Sequence, residues 1–461
     1  MQNIFREYDI RGIFPDELNA PSVQAIGYLL GAKIPQTESR FGARCVAIGY
    51  DARTHSRTLF EWLASGFAKA GCEVLDLGLI PTPVAYFAMF EESAKPQLSV
   101  MITGSHNPKE YNGFKITLGR KPFFGHDLQQ LGAEVADCVR AKISTHAEPT
   151  IHKDDALARY IAHLSHAFAH LRGLQIPLVL DCGNGVVAQG IAPILDNLQI
   201  RYTGLFMQPD GNFPNHHPDP TEDKNLRDIK AELAKQGGIG FAFDGDGDRL
   251  VVLTQKRVLK GDDLAIVFAQ NIENPVVVGE VKCSMNMYDS INRIGKAVMY
   301  KTGHSNIKTK IKELGASLGA EVSGHLFFND RYFGYDDATY AALRVLELIK
   351  DGIDMDAVLD SLPPLYATDE LKIPTTESAK FAIIDAFCKR LQSPPAGFPT
   401  IKETITIDGV RILFDEGWAL LRASNTTPML VTRFESIRRE NLAIYEKALR
   451  TLLDSVMEEL R

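Results

Sequence analysis

The segment Pro177-Leu-Val-Leu-Asp-Cys-Gly-Asn-Gly185 contains the pattern on which the fold depends: a short apolar strand, a loop of small and polar residues, and then a helical pattern. The same order recurs at residues 45–50 before Asp51 and at residues 276–279 before Glu280. Alternation of strands and helices favours sheets that are covered by helices. The sequence therefore predicts three topologically similar mixed α/β domains.

The C-terminal part of the chain has a different pattern. A helix is predicted over residues 378–391, and a long amphipathic stretch covers residues 437–460. Between them, Asp408-Gly409 and Glu416-Gly417 are typical of hairpin turns between short strands. These features predict an α+β domain in which helices pack on an antiparallel sheet.

Polar, unpatterned segments divide the 461 residues, which exceed what one hydrophobic core supports. They lie near residues 144–155, 254–262 and 363–376. The predicted domains are an α/β domain with a serine loop, an α/β domain with an acidic loop, an α/β domain with a hydroxyl-binding loop, and an α+β domain with an anion-binding loop. Their predicted borders are 1–148, 149–255, 256–365 and 366–461.

Composition excludes several classes of protein. A formal charge of −8 argues against a nucleic-acid-binding surface, although a local basic pocket remains possible. Six cysteines without a CxxC pair predict reduced thiols, no disulfide and no zinc site. Charged residues near the start replace the apolar core of a signal peptide, and no apolar run reaches the ~18 residues of a membrane span. We expect a soluble, cytoplasmic protein without a nucleic-acid or membrane partner.

An acidic string, Asp244-Gly-Asp246-Gly-Asp248-Arg249, lies between two apolar strands. Three carboxylates so close repel one another unless a cation neutralises them, and oxygen ligands favour Mg²⁺. An EF-hand is excluded because its sixth position is Arg249 instead of glycine and its twelfth is Gln255 instead of glutamate. A solvated acidic turn is the alternative. Arg249 could bind a phosphate held by the metal.

A candidate nucleophile, Ser105, stands next to His106 in the string Thr-Gly-Ser-His-Asn that follows an apolar strand. Most loop serines only cap or solvate a turn, which is the alternative here. Lys115, in the nearby string Asn-Gly-Phe-Lys, adds a cation that supports a functional role. A Ser-His-Asp hydrolase is disfavoured because no GxSxG elbow surrounds the serine. Serine, metal and arginine together indicate phosphoryl transfer.

Three further turns combine charged and hydroxyl side chains and are candidate binders of anions or sugar hydroxyls: His304 with Ser305 and Asn306, Glu321 with Ser323 and His325, and Arg422 with Ser424, Asn425 and Thr426. A helix cap at Ser305, solvated loop residues and a simple polar turn are the respective alternatives. The glycines that begin at Gly183 do not form a dinucleotide loop, because the third glycine falls at Gly190, too late for GxGxxG.

Taken together, these strings resemble the α-D-phosphohexomutase superfamily, in particular its bacterial phosphomannomutase/phosphoglucomutase branch. Strings that span nearly the whole chain occur in the order of the family: residues 8–12, 103–108, 244–249, 279–284, 303–306, 321–325 and 422–428. The resemblance implies three similar α/β domains and a C-terminal α+β lid domain around a central active-site cleft.

The resemblance also implies roles for individual residues. Ser105 would carry a phosphoryl group and, with Asp244, Asp246 and Asp248, would bind Mg²⁺. The implied reaction centre contains Arg11, His106, Lys115, Arg249 and His304. The implied substrate contacts are Tyr8, Lys282, Glu321, Ser323, His325, Arg422, Ser424, Asn425 and Thr426, of which the last four would hold the non-reacting phosphate.

The reaction that the resemblance implies interconverts hexose 1-phosphate and hexose 6-phosphate. Phospho-Ser105 would donate its phosphoryl group to the sugar, and the resulting hexose 1,6-bisphosphate would reorient and return the other phosphate. Mannose and glucose phosphates are the expected substrates, since Val322 and the lid string Ser424-Asn-Thr426 depart from the phosphoglucosamine mutase pattern. That mutase, a Mg²⁺-dependent sugar phosphatase and a non-catalytic sugar-phosphate-binding protein are the alternatives. A monomer or a homodimer is expected.

Overall fold

The computed structural model describes residues 4–35, 44–91, 93, 95–425 and 427–460. The chain forms two compact units. Unit 1 consists of residues 1–261 and 323–356, and unit 2 consists of residues 262–322 and 357–461.

The first stretch of the chain, in unit 1, contains a mixed sheet. Its elements are β1 (Ile10–Ile13), α1 (Ala20–Lys33), β2 (Arg44–Tyr50), α2 (Ser56–Lys69), β3 (Cys72–Leu79), α3 (Thr82–Phe90), β4 (Leu98–Ile102), β5 (Tyr111–Leu118), β6 (Lys121–Pro122), α4 (His126–Arg140) and β7 (Ile151–Lys153). The strand order is β1-β5-β4-β2-β3-β7, with β6 on β5. β2 lies in parallel between β3 and β4 and is buried along nearly its whole length, as expected for a central parallel strand.

The second stretch, also in unit 1, forms another mixed sheet with helices. Its elements are α5 (Ala156–Ala167), two short 3₁₀ helices (Ala169–Leu171 and Asp223–Leu226), β8 (Leu178–Asp181), α6 (Ala188–Asn197), β9 (Thr203–Leu205), α7 (Arg227–Gln236), β10 (Ile239–Phe243), β11 (Leu250–Leu253) and β12 (Val258–Leu259). The strand order is β12-β11-β10-β8-β9. β10 runs parallel to β8 and antiparallel to β11, so the acidic string forms the turn of the β10–β11 hairpin.

The third stretch divides between the two units. Its elements are α8 (Gly261–Ala269), β13 (Val276–Glu280), α9 (Met285–Asn292), β14 (Lys296–Tyr300), α10 (His304–Leu314), β15 (Leu318–Ala320), β16 (Leu326–Phe328) and α11 (Ala338–Lys350). In unit 2, β13 pairs in parallel with β14 and β15. β16 and α11 belong to unit 1. The predicted third α/β sheet is therefore present.

The last stretch forms an antiparallel sheet covered by helices. Its elements are α12 (Met355–Asp360), β17 (Tyr366–Ala367), β18 (Leu371–Pro374), α13 (Lys380–Leu391), β19 (Glu403–Ile405), β20 (Val410–Leu413), β21 (Gly417–Ala423), β22 (Met429–Ser436) and α14 (Arg439–Glu459). The strand order is β17-β22-β21-β20-β19, with β18 on β22. An apolar core between α13, α14 and the sheet includes Phe387, Phe434 and Leu453. This confirms the predicted α+β domain.

The longest helix, α14, has 21 residues and carries charged side chains along its length. Within the described ranges, no helix is long and apolar enough to cross a membrane.

A buried carboxylate lies within an aromatic cluster at the start of α11. Asp337 accepts hydrogen bonds from the hydroxyls of Tyr160 and Tyr332, both at 2.9 Å, and from the backbone N–H of Tyr340 at 2.9 Å. Tyr332 stacks on Tyr340 with ring centroids 4.0 Å apart. Burial outweighs these hydrogen bonds and raises the pKa of Asp337 to about 6. These hydrogen bonds hold Asp337 in place, and its neighbour Asp336 belongs to the site described below.

The raised pKa of Asp337 leads to a prediction about pH. Because the folded pKa of about 6 exceeds the ordinary value of 3.8, the folded state binds more protons between these values, and the stability contributed by Asp337 falls as pH rises through them. Asp337→Asn cannot ionise, so the Tm of the variant relative to the wild type should rise between about pH 3 and pH 7, a window that spans both pKa values. Thermal unfolding at each pH measures this difference. Asp351→Asn, at the exposed end of α11, is the control, and a pH-independent difference for Asp337→Asn would contradict the prediction.

Candidate active site

Ser105 lies in a buried turn directly after β4, where three hydrogen bonds fix the backbone. Thr103 Oγ1 and the backbone N–H of Gly104 donate to Asp51 Oδ2 at 2.8 and 3.2 Å. The N–H of Ser105 donates to Thr103 Oγ1 at 2.7 Å. Ser105 has a φ of +49°, in the left-handed region that non-glycine residues seldom adopt. The surrounding hydrogen bonds therefore hold this serine in a strained conformation.

A second buried residue, Arg53, holds the same turn from the other side. Its guanidinium donates to four backbone carbonyl oxygens: those of Ser105 at 2.9 Å, Asn107 at 2.6 Å, Pro108 at 2.6 Å and Tyr111 at 2.9 Å. No sequence motif indicates Arg53. The only available signal was its place two residues after Asp51, where the parallel strand β2 ends.

The acidic turn, residues 244–249, contacts Ser105 directly. Ser105 Oγ donates to Asp244 Oδ2 at 2.9 Å, although 139 positions separate the two residues. Three backbone N–H groups of the turn donate to Asp244 Oδ1: those of Gly247 at 3.1 Å, Asp248 at 3.2 Å and Arg249 at 3.2 Å. One oxygen of Asp244 is thus used to shape the turn, and the other faces the serine hydroxyl.

The two glycines of the acidic turn are required for different structural reasons. Gly247 has a φ of +72°, which favours glycine. Gly245 allows a close approach, because a Cβ atom there would lie 2.7 Å from the carbonyl oxygen of Ser105. A side chain at Gly245 would therefore push the serine and the aspartates apart.

Lys115, on β5, supplies the positive charge of this site. Its Nζ donates to Asp246 Oδ2 at 2.7 Å and also to Asp248 Oδ2. Burial alone would lower the pKa of Lys115, but the two carboxylates outweigh it and raise the pKa above its ordinary value. The same ion pair overcomes the effect of burial on Asp246 and lowers its pKa. Lys115 is therefore a charged, fully buried amine that bridges two aspartates.

The three aspartates of the acidic turn fit a hard divalent cation. All three are fully buried, and each offers one carboxylate oxygen within 4.8 Å of the others. Among the described residues, Oδ1 of Asp246 and Oδ1 of Asp248 have no hydrogen-bond partner. Burial and the charges of its two neighbours raise the pKa of Asp244. Buried carboxylate oxygens without donors are unfavourable unless a cation contacts them.

Two histidines flank the acidic turn and the serine. His106 Nδ1 lies 3.1 Å from Ser105 Oγ, and desolvation together with the charges of Arg249 and Arg11 lowers the pKa of His106. His325 Nε2 accepts a hydrogen bond from Arg249 Nε at 3.0 Å.

Both residues of the Arg249–His325 pair also lie near carboxylates. The Nδ1 atom of His325 lies 3.0 Å from Asp336 Oδ2, and Arg249 Nε lies 3.8 Å from Asp244 Oδ2. The structure thus places Arg249 and His325 together beside the acidic turn. Asp336 had no sequence signal.

Three further predicted residues lie in unit 1: Arg11, Tyr8 and Ser323. Arg11 donates to Asn107 Oδ1 and to the carbonyl oxygen of Gly104, and so contacts the serine turn. Tyr8 is buried two residues before β1. Ser323 is half-buried in the turn before β16.

In unit 2, the turn that precedes α10 is tied to two glutamates. Glu321 Oε1 accepts a hydrogen bond from the backbone N–H of Gly303 at 2.5 Å, and Glu280 Oε2 accepts one from Thr302 Oγ1 at 2.6 Å. His304 is buried as the first residue of the helix. The alternative in which Ser305 caps the helix is wrong, because α10 begins one residue before it and Gly303, at φ +118°, precedes that start.

Lys282 and Arg422 bring two cations to unit 2. Lys282 Nζ lies 2.6 Å from Glu370 Oε1 and 3.4 Å from Glu280 Oε1. Burial would raise the pKa of Glu370, but Lys282 outweighs it and lowers the pKa to about 2. Arg422 Nε lies 3.0 Å from Asp408 Oδ2, which also accepts the backbone N–H of Thr302 at 3.1 Å. Asp408 therefore links Arg422 to the turn before α10.

Buried arginines of the C-terminal sheet fix the loop that carries Lys282. Arg411, on β20, donates to the carbonyl oxygens of Val281 and Cys283 at 2.7 and 2.8 Å. Arg433, on β22, donates to the carbonyl oxygen of Lys282 at 2.7 Å. Sequence analysis found neither arginine.

The predicted anion-binding loop lies between β21 and β22. Ser424 is buried, and its carbonyl oxygen accepts a hydrogen bond from Lys380 Nζ at 2.7 Å. Asn425 is half-buried, and Thr426 lies outside the described residues. Lys380 is a further buried cation that sequence analysis missed.

Four family models match successive parts of the chain. They are phosphoglucomutase/phosphomannomutase alpha/beta/alpha domain I at residues 2–138, domain II at residues 158–257, domain III at residues 260–366, and the C-terminal domain at residues 370–452.

Individual relatives match along the whole chain. A phosphomannomutase/phosphoglucomutase of Pseudomonas aeruginosa is 38% identical, over 99% of this chain and 97% of its own. A phosphoglucomutase of Neisseria meningitidis is 37% identical, over 98% of this chain and 97% of its own. A crystal structure of a phosphoglucomutase/phosphomannomutase family protein from Burkholderia thailandensis has a TM-score of 0.87 and 34% identity, over 99% of this chain and 98% of that one.

The fold and these similarities define a phosphohexomutase, an isomerase that acts as an intramolecular phosphotransferase. The chain belongs to the phosphoglucomutase/phosphomannomutase family. This confirms the resemblance, the fold class and the enzyme class that the sequence predicted.

Proposed function

We propose that this chain interconverts the 1-phosphates and 6-phosphates of mannose and glucose through a phosphorylated Ser105. The observation that carries the proposal is the hydrogen bond from Ser105 Oγ to Asp244 Oδ2 at 2.9 Å, next to two further buried aspartates. A serine that only caps its turn has no need of a buried carboxylate from a distant hairpin. A phosphoryl carrier needs one, because the transferred group bears negative charge that a bound cation must offset.

In this proposal Ser105, Asp244, Asp246 and Asp248 hold Mg²⁺. The fit rests on the donor set, which consists of oxygens alone, and on the two buried carboxylate oxygens without hydrogen-bond donors. When bound, the cation would offset charge on the phosphoryl group in flight.

The residues around Ser105 have separate tasks in the proposed reaction. When Ser105 attacks the phosphate of the bisphosphorylated sugar, a new bond forms from Oγ to phosphorus and the bond from phosphorus to the sugar oxygen breaks. That oxygen takes up a proton and leaves as the sugar hydroxyl. His106 Nδ1 lies 3.1 Å from Ser105 Oγ, and its lowered pKa favours the neutral imidazole, so His106 can take the hydroxyl proton once the hydroxyl turns from Asp244 to Nδ1. Lys115, Arg11 and Arg249 supply positive charge near the group that is transferred.

The substrate contacts belong to the same proposal. Arg422, Ser424, Asn425 and Thr426 would hold the phosphate that does not react. Lys282 would be a further substrate contact, and His304 would line the reaction centre. Tyr8, Glu321, Ser323 and His325 would contact the sugar. Support comes from the buried cations of unit 2, since charged donors are the usual partners of a phosphate.

The domain borders 1–148, 149–255, 256–365 and 366–461 are also proposed here, as is a cytoplasmic location. The location rests on the sequence, whose widely spaced cysteines suit a reducing compartment.

The test supplies glucose 1-phosphate or mannose 1-phosphate, Mg²⁺ and a trace of the matching 1,6-bisphosphate. We expect the 6-phosphate to form without release of orthophosphate. Orthophosphate in amounts equal to the substrate consumed would identify a phosphatase instead. Conversion of glucosamine phosphates alone would identify a phosphoglucosamine mutase, and no conversion of any sugar would leave a binding protein.

A further inference from the structure

Thr82, the first residue of α3, contacts the acidic turn with both its backbone and its side chain. Its N–H donates to the carbonyl oxygen of Asp246 at 2.9 Å, and its Oγ1 donates to Asp246 Oδ2 at 2.6 Å. Thr82 is fully buried and lies between Pro81 and Pro83, which restrict the backbone on both sides. Its β-branched side chain has few accessible rotamers. Asp246 is therefore held by a rigid donor from a different domain.

We propose that Thr82 is a positioning residue that fixes the orientation of the Asp246 carboxylate, so that Oδ1 faces the cation site. The inference rests on the proposed function, in which Asp246 binds Mg²⁺. Oδ2 of Asp246 accepts two hydrogen bonds, from Thr82 Oγ1 at 2.6 Å and from Lys115 Nζ at 2.7 Å. Oδ1 is buried and, in the part of the chain that the structure describes, has no donor. The two oxygens thus have different environments, and rotation of the carboxylate would remove both hydrogen bonds.

Lys115 alone does not fix this orientation. Its amine is shared with Asp248 and stands on a flexible four-carbon stem. In the proposed reaction it also serves the phosphoryl group, so its contact with Asp246 changes during the cycle. The hydroxyl of Thr82 is neutral and rigid, and can hold Asp246 in place throughout.

A purely local role for the Thr82 hydroxyl is disfavoured by the geometry of α3. The residue that precedes the helix is Pro81, and the described helix has no side-chain cap hydrogen bond. The one proton of the Thr82 hydroxyl is donated to Asp246 Oδ2, so it is not shared with an acceptor in α3.

The test compares Thr82→Val, which keeps the shape and loses the hydroxyl, with Thr82→Ser, which keeps the hydroxyl. Affinity of the full-length protein for Mn²⁺, used as a spectroscopic substitute for Mg²⁺, is measured by electron paramagnetic resonance. Because partners that orient a metal ligand typically contribute 10–100-fold to affinity, Thr82→Val should bind Mn²⁺ at least about 10-fold more weakly, and Thr82→Ser should stay within about threefold of wild type. The Mg²⁺ concentration for half-maximal activity should shift in the same proportion, with little change in the KM for sugar phosphate.

Two results would overturn the inference. One is wild-type Mn²⁺ affinity in Thr82→Val, and the other is equal loss in both variants. If the valine variant does not fold, the serine variant still decides, because a loss beyond about 10-fold with the hydroxyl present contradicts the role. Asp246→Asn separates this inference from the proposed function: if it binds Mn²⁺ like wild type, the metal site itself is refuted, whereas if it loses binding while Thr82→Val does not, only the role of Thr82 is.

Discussion

Ser105→Ala should lower the rate of hexose 1-phosphate conversion by roughly 10⁴-fold or more, because no oxygen remains to carry the phosphoryl group between the two ends of the sugar. A coupled assay of glucose 6-phosphate formation measures the rate, with Mg²⁺ and glucose 1,6-bisphosphate supplied. The substitution removes one buried hydroxyl that donates to Asp244. Folding should persist, since a typical hydrogen bond contributes only about 1 kcal/mol.

The control for this prediction is Ser99→Ala, on the strand that leads to Ser105. The Ser99 hydroxyl is buried and donates to the carbonyl oxygen of Ala85 at 2.9 Å, away from the reacting group. Its loss should reduce stability by about 1 kcal/mol and leave turnover nearly unchanged. Retention of a tenth or more of the activity in Ser105→Ala would contradict a phosphoserine mechanism, whatever the control shows.

Among the substitutions proposed for this protein, Lys115→Met should lower the free energy of unfolding most. The size of this loss should depend on the divalent cation. Without Lys115, no lysine or arginine among the described residues forms an ion pair with the buried carboxylates of Asp246 and Asp248, and only His325 Nδ1 lies near, 3.6 Å from Asp248 Oδ1. Removal of one partner of a buried ion pair costs about 3–5 kcal/mol. In EDTA, the Tm of the variant should therefore fall well below that of wild type. Mg²⁺ supplies the missing charge, so the rise in Tm on its addition should be larger in the variant than in wild type.

Thermal unfolding of both proteins in EDTA and in excess Mg²⁺ measures this interaction. Lys121→Met, at an exposed position of β6, removes the same charge from the protein without touching the acidic turn. It should change neither the Tm nor the Mg²⁺ response. An equal Mg²⁺ response in Lys115→Met and wild type would show that the amine and the cation do not share the charge of these aspartates.

The parts of the candidate site that carry local signals could be predicted from the sequence. Ser105 and the acidic turn stand out because each is a rare string at the end of an apolar strand, and the structure joins them through a hydrogen bond of 2.9 Å. The predicted ends of one helix were also close to the observed ones, since α13 covers Lys380–Leu391 and the prediction was 378–391. Side-chain periodicity and turn residues are local properties, and a single sequence displays them.

The residues that support the site could not be found in this way. Thr82 contacts Asp246 across 164 positions, and Arg53 reaches Ser105 across 52. Neither residue lies in a string of unusual composition. A single hydroxyl or a single guanidinium is enough to make these hydrogen bonds, so no neighbouring residue has to be of a special type. Such contacts arise when strands that are distant in sequence end at neighbouring positions. The topology of the sheets determines which strand ends are neighbours, and a local sequence pattern does not reveal it. The alternative of a helix cap at Ser305 is wrong for a different reason, because the helix begins at His304, after a glycine at φ +118°.

The charges of the candidate site are largely balanced by groups of the protein itself. Asp244, Asp246 and Asp248 are fully buried, and they are stabilised by backbone N–H groups, by Thr82 and by Lys115. Each aspartate thereby keeps one oxygen fixed by the protein. Preorganised carboxylates of this kind bind a cation without paying for their own rearrangement.

The most direct test of a phosphoryl-carrying serine is the intact mass of the protein after incubation with glucose 1,6-bisphosphate and Mg²⁺. A gain of about 80 Da, which fragmentation assigns to Ser105 and which Ser105→Ala lacks, is the result that we expect. An unchanged mass, or a phosphate assigned to any other side chain, would contradict the account.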